Sequence, residues 1–188
     1  MPVDTSAFRN GIRFMLDGEP VEVTYFQHVK PGKGGAFVRS KVRYLRTGRN
    51  VEKTFRAGER FPDAPIDTGT VQYLYNDGSD YIFMDTQTFD QIPFSPEVMG
   101  DGAKWLLENM EVGVMFFDGQ PINIDLPAQV VYTVTETEPG LKGDTSTNTL
   151  KPAKIETGAT VMVQLFINEG DKIKVDTRTG DYVERVKE

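Results

Sequence analysis

The chain has 188 residues, 38% of them apolar and 26% charged, with aromatic residues throughout, a composition that excludes a disordered or low-complexity protein. Zero cysteines exclude disulfides, thiolate metal sites and a thiol nucleophile. The net charge of −7 argues against nucleic-acid binding by the chain as a whole, since clustered Lys and Arg supply affinity for phosphate backbones. That average hides a gradient: residues 1–64 carry 12 basic and 7 acidic groups, residues 65–128 carry 1 and 11, and residues 129–188 carry 8 and 10. The asymmetry suggests separate modules, one suited to a polyanion and one repelled by it, although solvated faces of unequal sign would give the same count.

The opening "MPVDTSAFRNGIRF" lacks the apolar core of a signal peptide, and no run of about 18 apolar residues could span a bilayer. A cytoplasmic protein with no membrane partner is expected, and the missing cysteines suit a reducing compartment. In the first third, "GIRFMLDG", "PVEVTYFQHV", "AFVRSKVRYL" and "NVEKTFRAG" read as strands, joined by turns at Asp17-Gly18 and Thr47-Gly48. So many strands in so few residues predict a small barrel. Two prolines and no clear periodicity in "FPDAPIDTG" place a boundary near residue 64, where the charge also changes sign.

The middle third opens with "TVQYLYNDGSDYIFMD", two alternating strands around Asn76-Asp77-Gly78-Ser79. The one helix the sequence predicts lies in "SPEVMGDGAKWLLENM". Ser95 is its cap and Pro96 its first turn, and Trp105, Leu106 and Met110 are candidates for one apolar face if Gly100 and Gly102 do not break the segment. "VGVMFFDGQPINIDLP" returns to strands, a pattern compatible with an OB-type barrel. The last third, from "VVYTVTETEPG" through "ATVMVQLFINEGDKIKVDTRTGDYVERV", predicts a further barrel with turns at Glu169-Gly170 and Thr179-Gly180. The expected architecture is mainly β, with modules at 1–64, 65–128 and 129–188 that form an elongated chain.

No catalytic constellation emerges. The single histidine, His28, closes a strand without an evident hydroxyl or carboxylate for a relay. Metal ligands are neither clustered nor spaced as in known sites, so no metal and no cofactor are expected. "NDGSDY", "DTQTFD" and "DTRTGD" leave paired-acid glycosidase chemistry open, but each reads more simply as a turn. "GKGG" lacks the glycine spacing and the following Ser or Thr of a phosphate-binding loop.

A basic hairpin remains. Strand alternation puts Arg39, Lys41 and Arg43 on one face and Ala36, Val38, Val42 and Tyr44 on the other. Lys30, Lys33, Arg46 and Arg49 lie at the turn ends and would extend the row toward phosphates. The row fits a phosphate-binding surface and equally an aggregation-resistant, solvated strand face. Lys33 stands apart. Pro31, Gly32, Gly34 and Gly35 surround it, so a primary amine projects beyond bulk-free neighbours, within reach of a narrow cleft or a modifying enzyme.

These segments resemble a known family. "VKPGKGGAFVR", "TGRNVEKTFRAGE", "YLYNDG", "GDGAKWLLENM", "DGQPI", "PGLKGDTSTN" and "KPAKIETGATVMVQLFINEGDKIKVDTRTGDYV" are similar, in that order and over nearly the whole chain, to bacterial elongation factor P. The resemblance implies an SH3-like (KOW-like) N-terminal barrel followed by two OB-type barrels in an L shape like that of tRNA. It implies a monomeric, non-enzymatic translation factor that binds the ribosome between the peptidyl and exit sites and relieves stalling at consecutive prolines. By position, Lys33 would reach the CCA region of peptidyl-tRNA after lysine-modifying enzymes extend it, in this "PGKG" branch with a β-lysyl group. Lys30, Pro31, Gly32, Lys33, Gly34, Gly35, Arg39, Lys41 and Arg43 would face the tRNA. In the "GDTSTN" loop, Gly143, Asp144, Thr145 and Asn148 would contact the small subunit and tRNA. Gln164 departs from the resemblance, which implies proline there in most members, a change expected to touch an edge strand more than function. Two other readings stand beside this one: a family paralogue with a changed ribosomal or RNA-binding role, and an unrelated enzyme built on small barrels.

Overall fold

Hydrophobic alternation and tight turns shape the N-terminal sheet. In a computed structural model that describes residues 1–140 and 149–187, sixteen strands form four sheets. They are β1 (Val3–Asp4), β2 (Arg13–Leu16), β3 (Glu19–Val29), β4 (Phe37–Tyr44), β5 (Asn50–Arg56), β6 (Arg60–Phe61), β7 (Ile66–Asn76) and β8 (Tyr81–Asp85). There follow β9 (Gln91–Phe94), β10 (Glu111–Phe117), β11 (Gln120–Asp125), β12 (Gln129–Thr137), β13 (Leu150–Ile155), β14 (Thr160–Gln164), β15 (Lys172–Asp176) and β16 (Asp181–Val186). The protein is mainly β, as the sequence predicts.

The chain folds as two units. One holds Met1–Gly69 and Val114–Asn123, the other Thr70–Gly113 and Ile124–Glu188. In the first unit the sheet order is β2-β3-β4-β5, with β1 paired to β6. The turn between β2 and β3 has positive φ at both Asp17 and Gly18, which matches the right-handed twist of a two-residue hairpin. Its core is aromatic: Phe14 lies 4.7 Å from Phe61 and 5.2 Å from Phe8 between ring centroids, and Phe55 meets Phe61 edge-on at 5.1 Å. Buried Thr5 ties this core to the end of β5, donating to the Arg56 carbonyl and accepting from the Gly58 amide.

The β3–β4 ladder carries a bulge between Val23 and Tyr25. Val21 and Val23 are fully buried; past the bulge, Phe26 packs on the core while Tyr25 and Gln27 face outward. One inserted residue has switched the phase of the strand. Ser40 of β4 lies in the core at 0% exposure, and its hydroxyl has no hydrogen-bond partner among the described residues. An unsatisfied buried hydroxyl costs stability, so Ser40→Ala is expected to raise the unfolding free energy by about 1 kcal/mol in urea melts. A loss of stability would show that the hydroxyl is satisfied after all.

The third sheet runs β11-β10-β7-β8-β9, and the fourth β14-β13-β12-β15-β16. The predicted helix is short. Ser95 caps it by accepting from the Val98 amide and Pro96 begins it, but the α-helix ends at Met99; Gly100, at φ 51°, turns the chain into a 3-10 segment, Gly100–Trp105. Gly100 breaks the segment while Gly102 lies within the 3-10 turns, and Trp105, Leu106 and Met110 do not form one helical stripe. Trp105 instead enters the cluster of Tyr132, Val134, Ile155, Val163, Ile173 and Val175, beneath the fourth sheet. The Tyr132 hydroxyl donates to the Trp105 carbonyl at 2.6 Å. Gln164 ends β14, the last strand at one side of that sheet, opposite Leu150.

The three acidic segments are turns, as read from the sequence. Asp77 accepts from the Asp80 and Ser79 amides at 2.8 and 2.9 Å, Asp85 from Gln87 and Thr88 at 2.7 and 2.9 Å, and Asp176 from Arg178 at 2.9 Å. Hydrogen bonds hold these carboxyls below their ordinary range: chiefly from the Asp80 amide for Asp77, the Thr88 amide for Asp85 and the Arg178 side chain for Asp176. Each is committed to its own loop.

Candidate nucleic-acid interface

The β3–β4 hairpin positions the predicted cations. Its loop, residues 30–36, is exposed from Lys30 through Gly35, and the Ala36 carbonyl accepts from the Ala57 amide at 3.1 Å, which ties the returning arm to the end of β5. Of the three loop glycines, Gly34 alone has a φ in the left-handed region, 117°, where a side chain would be strained. A Cβ on Gly32 or Gly35 would meet nothing within 4 Å. Their contribution is bare space around Lys33, and only Gly34 sets the backbone.

Arg39, Lys41 and Arg43 share the outer face of β4, with Val38, Ser40 and Val42 buried beneath. Their surroundings differ. Arg43 donates to Glu22 at 3.0 Å, and the other oxygen of that half-buried carboxylate accepts from Arg13 at 2.9 Å. Lys41 pairs with Glu52 on β5 at 3.4 Å. No described acidic side chain pairs with Arg39, which faces Gln27 and Thr54 across the ladders. Lys30 and Lys33 are likewise free of described ion pairs.

Two predicted extensions of the row lie elsewhere. Arg46 and Arg49 follow the far end of β4, and seven residue steps of about 3.3 Å separate that end from the loop of Lys33. There Arg46 pairs with Glu19 at 3.3 Å and covers the Phe117 ring, while Arg49 sits 5.2 Å above Tyr44. The sequence reading missed Arg56, which stands opposite Phe37 on the same outer face as Arg39. Period two along "NVEKTFR", Asn50, Glu52, Thr54, Arg56, was the signal for it.

His28 is exposed, its ring edge-on to Phe26 at 5.6 Å, with no relay partner among the described residues. No group of three or more potential metal ligands occurs among the described residues. Gly143, Asp144, Thr145 and Asn148 lie outside the described residues. On either side of that stretch in the sequence, buried Lys151 donates to the Glu138 carbonyl, and a Cβ on Gly140 would come 2.6 Å from the Leu165 carbonyl oxygen, so only glycine fits there.

Comparison with known proteins adds the family. Residues 4–61 match the family model of the elongation factor P (EF-P) KOW-like domain, residues 66–124 that of the elongation factor P OB domain, and residues 130–185 that of the elongation factor P C-terminal region. Elongation factor P of Syntrophomonas wolfei is 52% identical over 184 residues, covering 98% of this chain and 100% of the relative. That of Clostridioides difficile matches over the same shares at 52%, and that of Synechocystis sp. is 50% identical over 97% of this chain and 98% of its own. Among solved structures, eukaryotic translation initiation factor 5A from Methanococcus jannaschii superposes with a TM-score of 0.54 at 25% identity, over 67% of this chain and 94% of that one. KOW-like and OB domains in this order, with a cationic hairpin in the first, define a translation elongation factor. The chain belongs to the elongation factor P family.

Proposed function

We propose that the protein binds the ribosome between the peptidyl and exit sites, as a monomer of three modules (1–64, 65–128, 129–188), and stimulates peptide-bond formation at consecutive prolines. The observation that carries this reading is the Lys33 loop: an exposed amine beyond the end of a hairpin, with bare glycines around it and Arg39 behind it. Lys33 reaches the CCA end of peptidyl-tRNA. Lys30, Arg39, Lys41 and Arg43 serve its backbone, and Pro31, Gly32, Gly34 and Gly35 let that backbone approach closely.

The contribution is positional. The nucleophile is proline's secondary amine, whose ring restricts the approach to the ester carbonyl; holding the peptidyl-tRNA in a reactive geometry removes part of the entropic barrier. The factor supplies no proton donor or nucleophile of its own. Lys33 carries a β-lysyl group joined to Nζ by an amide. That bond removes one ammonium and brings two more, so the arm grows longer and gains positive charge toward the tRNA backbone. The acidic middle third limits adhesion to other RNA surfaces.

A purified translation system with matched messages tests this. The protein is expected to speed synthesis through a proline run and leave a proline-free message unchanged; equal effects on both, or none on the first, would overturn the reading. The intact mass of protein made in its native host tests the adduct separately. A mass equal to that of the bare sequence removes the β-lysyl group from the account.

A further inference from the structure

We propose that the outer face of β3, β4 and β5 is a binding subsite for one unpaired RNA nucleotide, in which Tyr25 stacks on the base and Arg39 and Arg56 take the phosphates on its loop side. The proposal rests on the reading that this hairpin faces RNA, and names which part of the RNA it recognises.

The bulge comes first. Continued from Val21 and Val23, strict alternation would bury Tyr25; the inserted residue puts it outside instead, at 46% exposure, opposite Lys41. No other described ring packs against it. An exposed tyrosine alone is ordinary. Here the ring stands in a particular setting. Arg39 is its diagonal neighbour on the next strand, faced by the neutral side chains of Gln27 and Thr54, and Arg56 follows two residues beyond Thr54 on β5. Neither guanidinium forms an ion pair among the described residues, although the Arg56 backbone amide donates to the Glu59 carboxylate at 3.0 Å, so both side chains are available to an anion.

Direction follows from the charges. Opposite Tyr25 and on its side away from the loop, Glu52 holds Lys41 and Glu22 holds Arg43 and Arg13, leaving that ground with less free positive charge than the loop side. On the loop side lie Arg39, Arg56, Lys30 and Lys33, so a phosphate chain leaving a base stacked on Tyr25 is drawn toward Lys33. Aromatic stacking beside a cationic track is how single strands are held without sequence-specific contacts. A duplex hides its base faces, and Tyr25 would have nothing to stack on.

Fluorescence anisotropy with the full chain tests this, using a short single-stranded RNA ending in CCA and a blunt RNA hairpin of similar length whose two strands are joined by a non-nucleotide linker, so that it offers no unpaired base. Tyr25→Ala is expected to weaken single-strand binding about tenfold with an unchanged salt slope, Tyr25→Phe to keep it within about twofold, and the hairpin to be bound equally by all three. Arg39→Ala is expected to lower the salt slope by about 0.7. The proposal is overturned if Tyr25→Ala binds the single strand like the wild type, if it weakens the hairpin equally, or if the wild type binds neither RNA. Tyr25→Ala is expected to melt at the wild-type temperature by circular dichroism, because its ring is exposed. The proline-run assay reports separately: a wild type that binds the single strand through Tyr25 but fails on proline runs sinks the proposed function and leaves the subsite standing.

Discussion

Trp105→Ala is expected to destabilise the protein by about 3–5 kcal/mol, the range for removing a large buried aromatic ring. Trp105 is 3% exposed within a cluster drawn mostly from β12, β13, β14 and β15. Its ring lies 5.9 Å from that of Tyr132, the Lys104 ammonium sits 5.2 Å above it, and Gly180 comes so close that a Cβ there would be 3.3 Å from the indole. The turn "DTRTG" thus ends on a glycine partly because the indole lies against it. Domain stabilities of roughly 5–15 kcal/mol leave little after such a loss. Trp105→Phe is the informative control. The acceptor for the Tyr132 hydroxyl is a backbone carbonyl, so that bond survives and only part of the packing is lost. Urea unfolding followed by circular dichroism measures both variants, since the chain's one tryptophan is the group removed. A loss under about 1 kcal/mol for alanine would mean that the indole is a lid on the cluster rather than part of it.

Trp105 also shows where the sequence was legible and where it was not. The strands, the Asp17-Gly18 turn and the Ser95 cap follow from local chemistry, and local chemistry is all that periodicity reports. In the sequence the tryptophan is only a candidate for a helical face with Leu106 and Met110, since periodicity compares near neighbours alone. Its actual partners, Tyr132 and Gly180, lie 27 and 75 positions further along the chain. No local pattern encodes such a pairing.

The cationic face divides in the same way. Alternation along β4 correctly put Arg39, Lys41 and Arg43 together, yet the pairing of Arg43 with Glu22 and of Lys41 with Glu52 depends on which strands flank β4. Arg46 and Arg49 looked like part of the row because they are near Arg43 in sequence; in the structure they belong to the opposite end of the strand. The bulge that turns Tyr25 outward left one trace, the polar Gln27 where a continued alternation would require an inward apolar residue. A single polar residue in a strand is too common to carry that inference unaided.

Lys33→Ala is expected to lower stimulation on proline-run messages by about tenfold or more while leaving the fold unchanged, because the side chain is exposed and forms no hydrogen bond or ion pair among the described residues. Lys33→Arg separates charge from modification. Arginine keeps a cation at the tip but offers no primary amine for acylation, so in protein made in the native host it is expected to act like unmodified lysine and fall short of the modified form. Three outcomes then discriminate. If arginine matches modified wild type, charge at the tip suffices and lengthening is irrelevant. If arginine and alanine fail alike, the contribution lies wholly in the adduct. If alanine performs as well as wild type in purified translation, Lys33 is not the reaching group, and the glycines around it would need a different explanation. Gly34→Ala supplies an independent check on the loop's geometry: at φ 117° it strains the backbone without removing any cation, so it is expected to reduce stimulation with Lys33 still present.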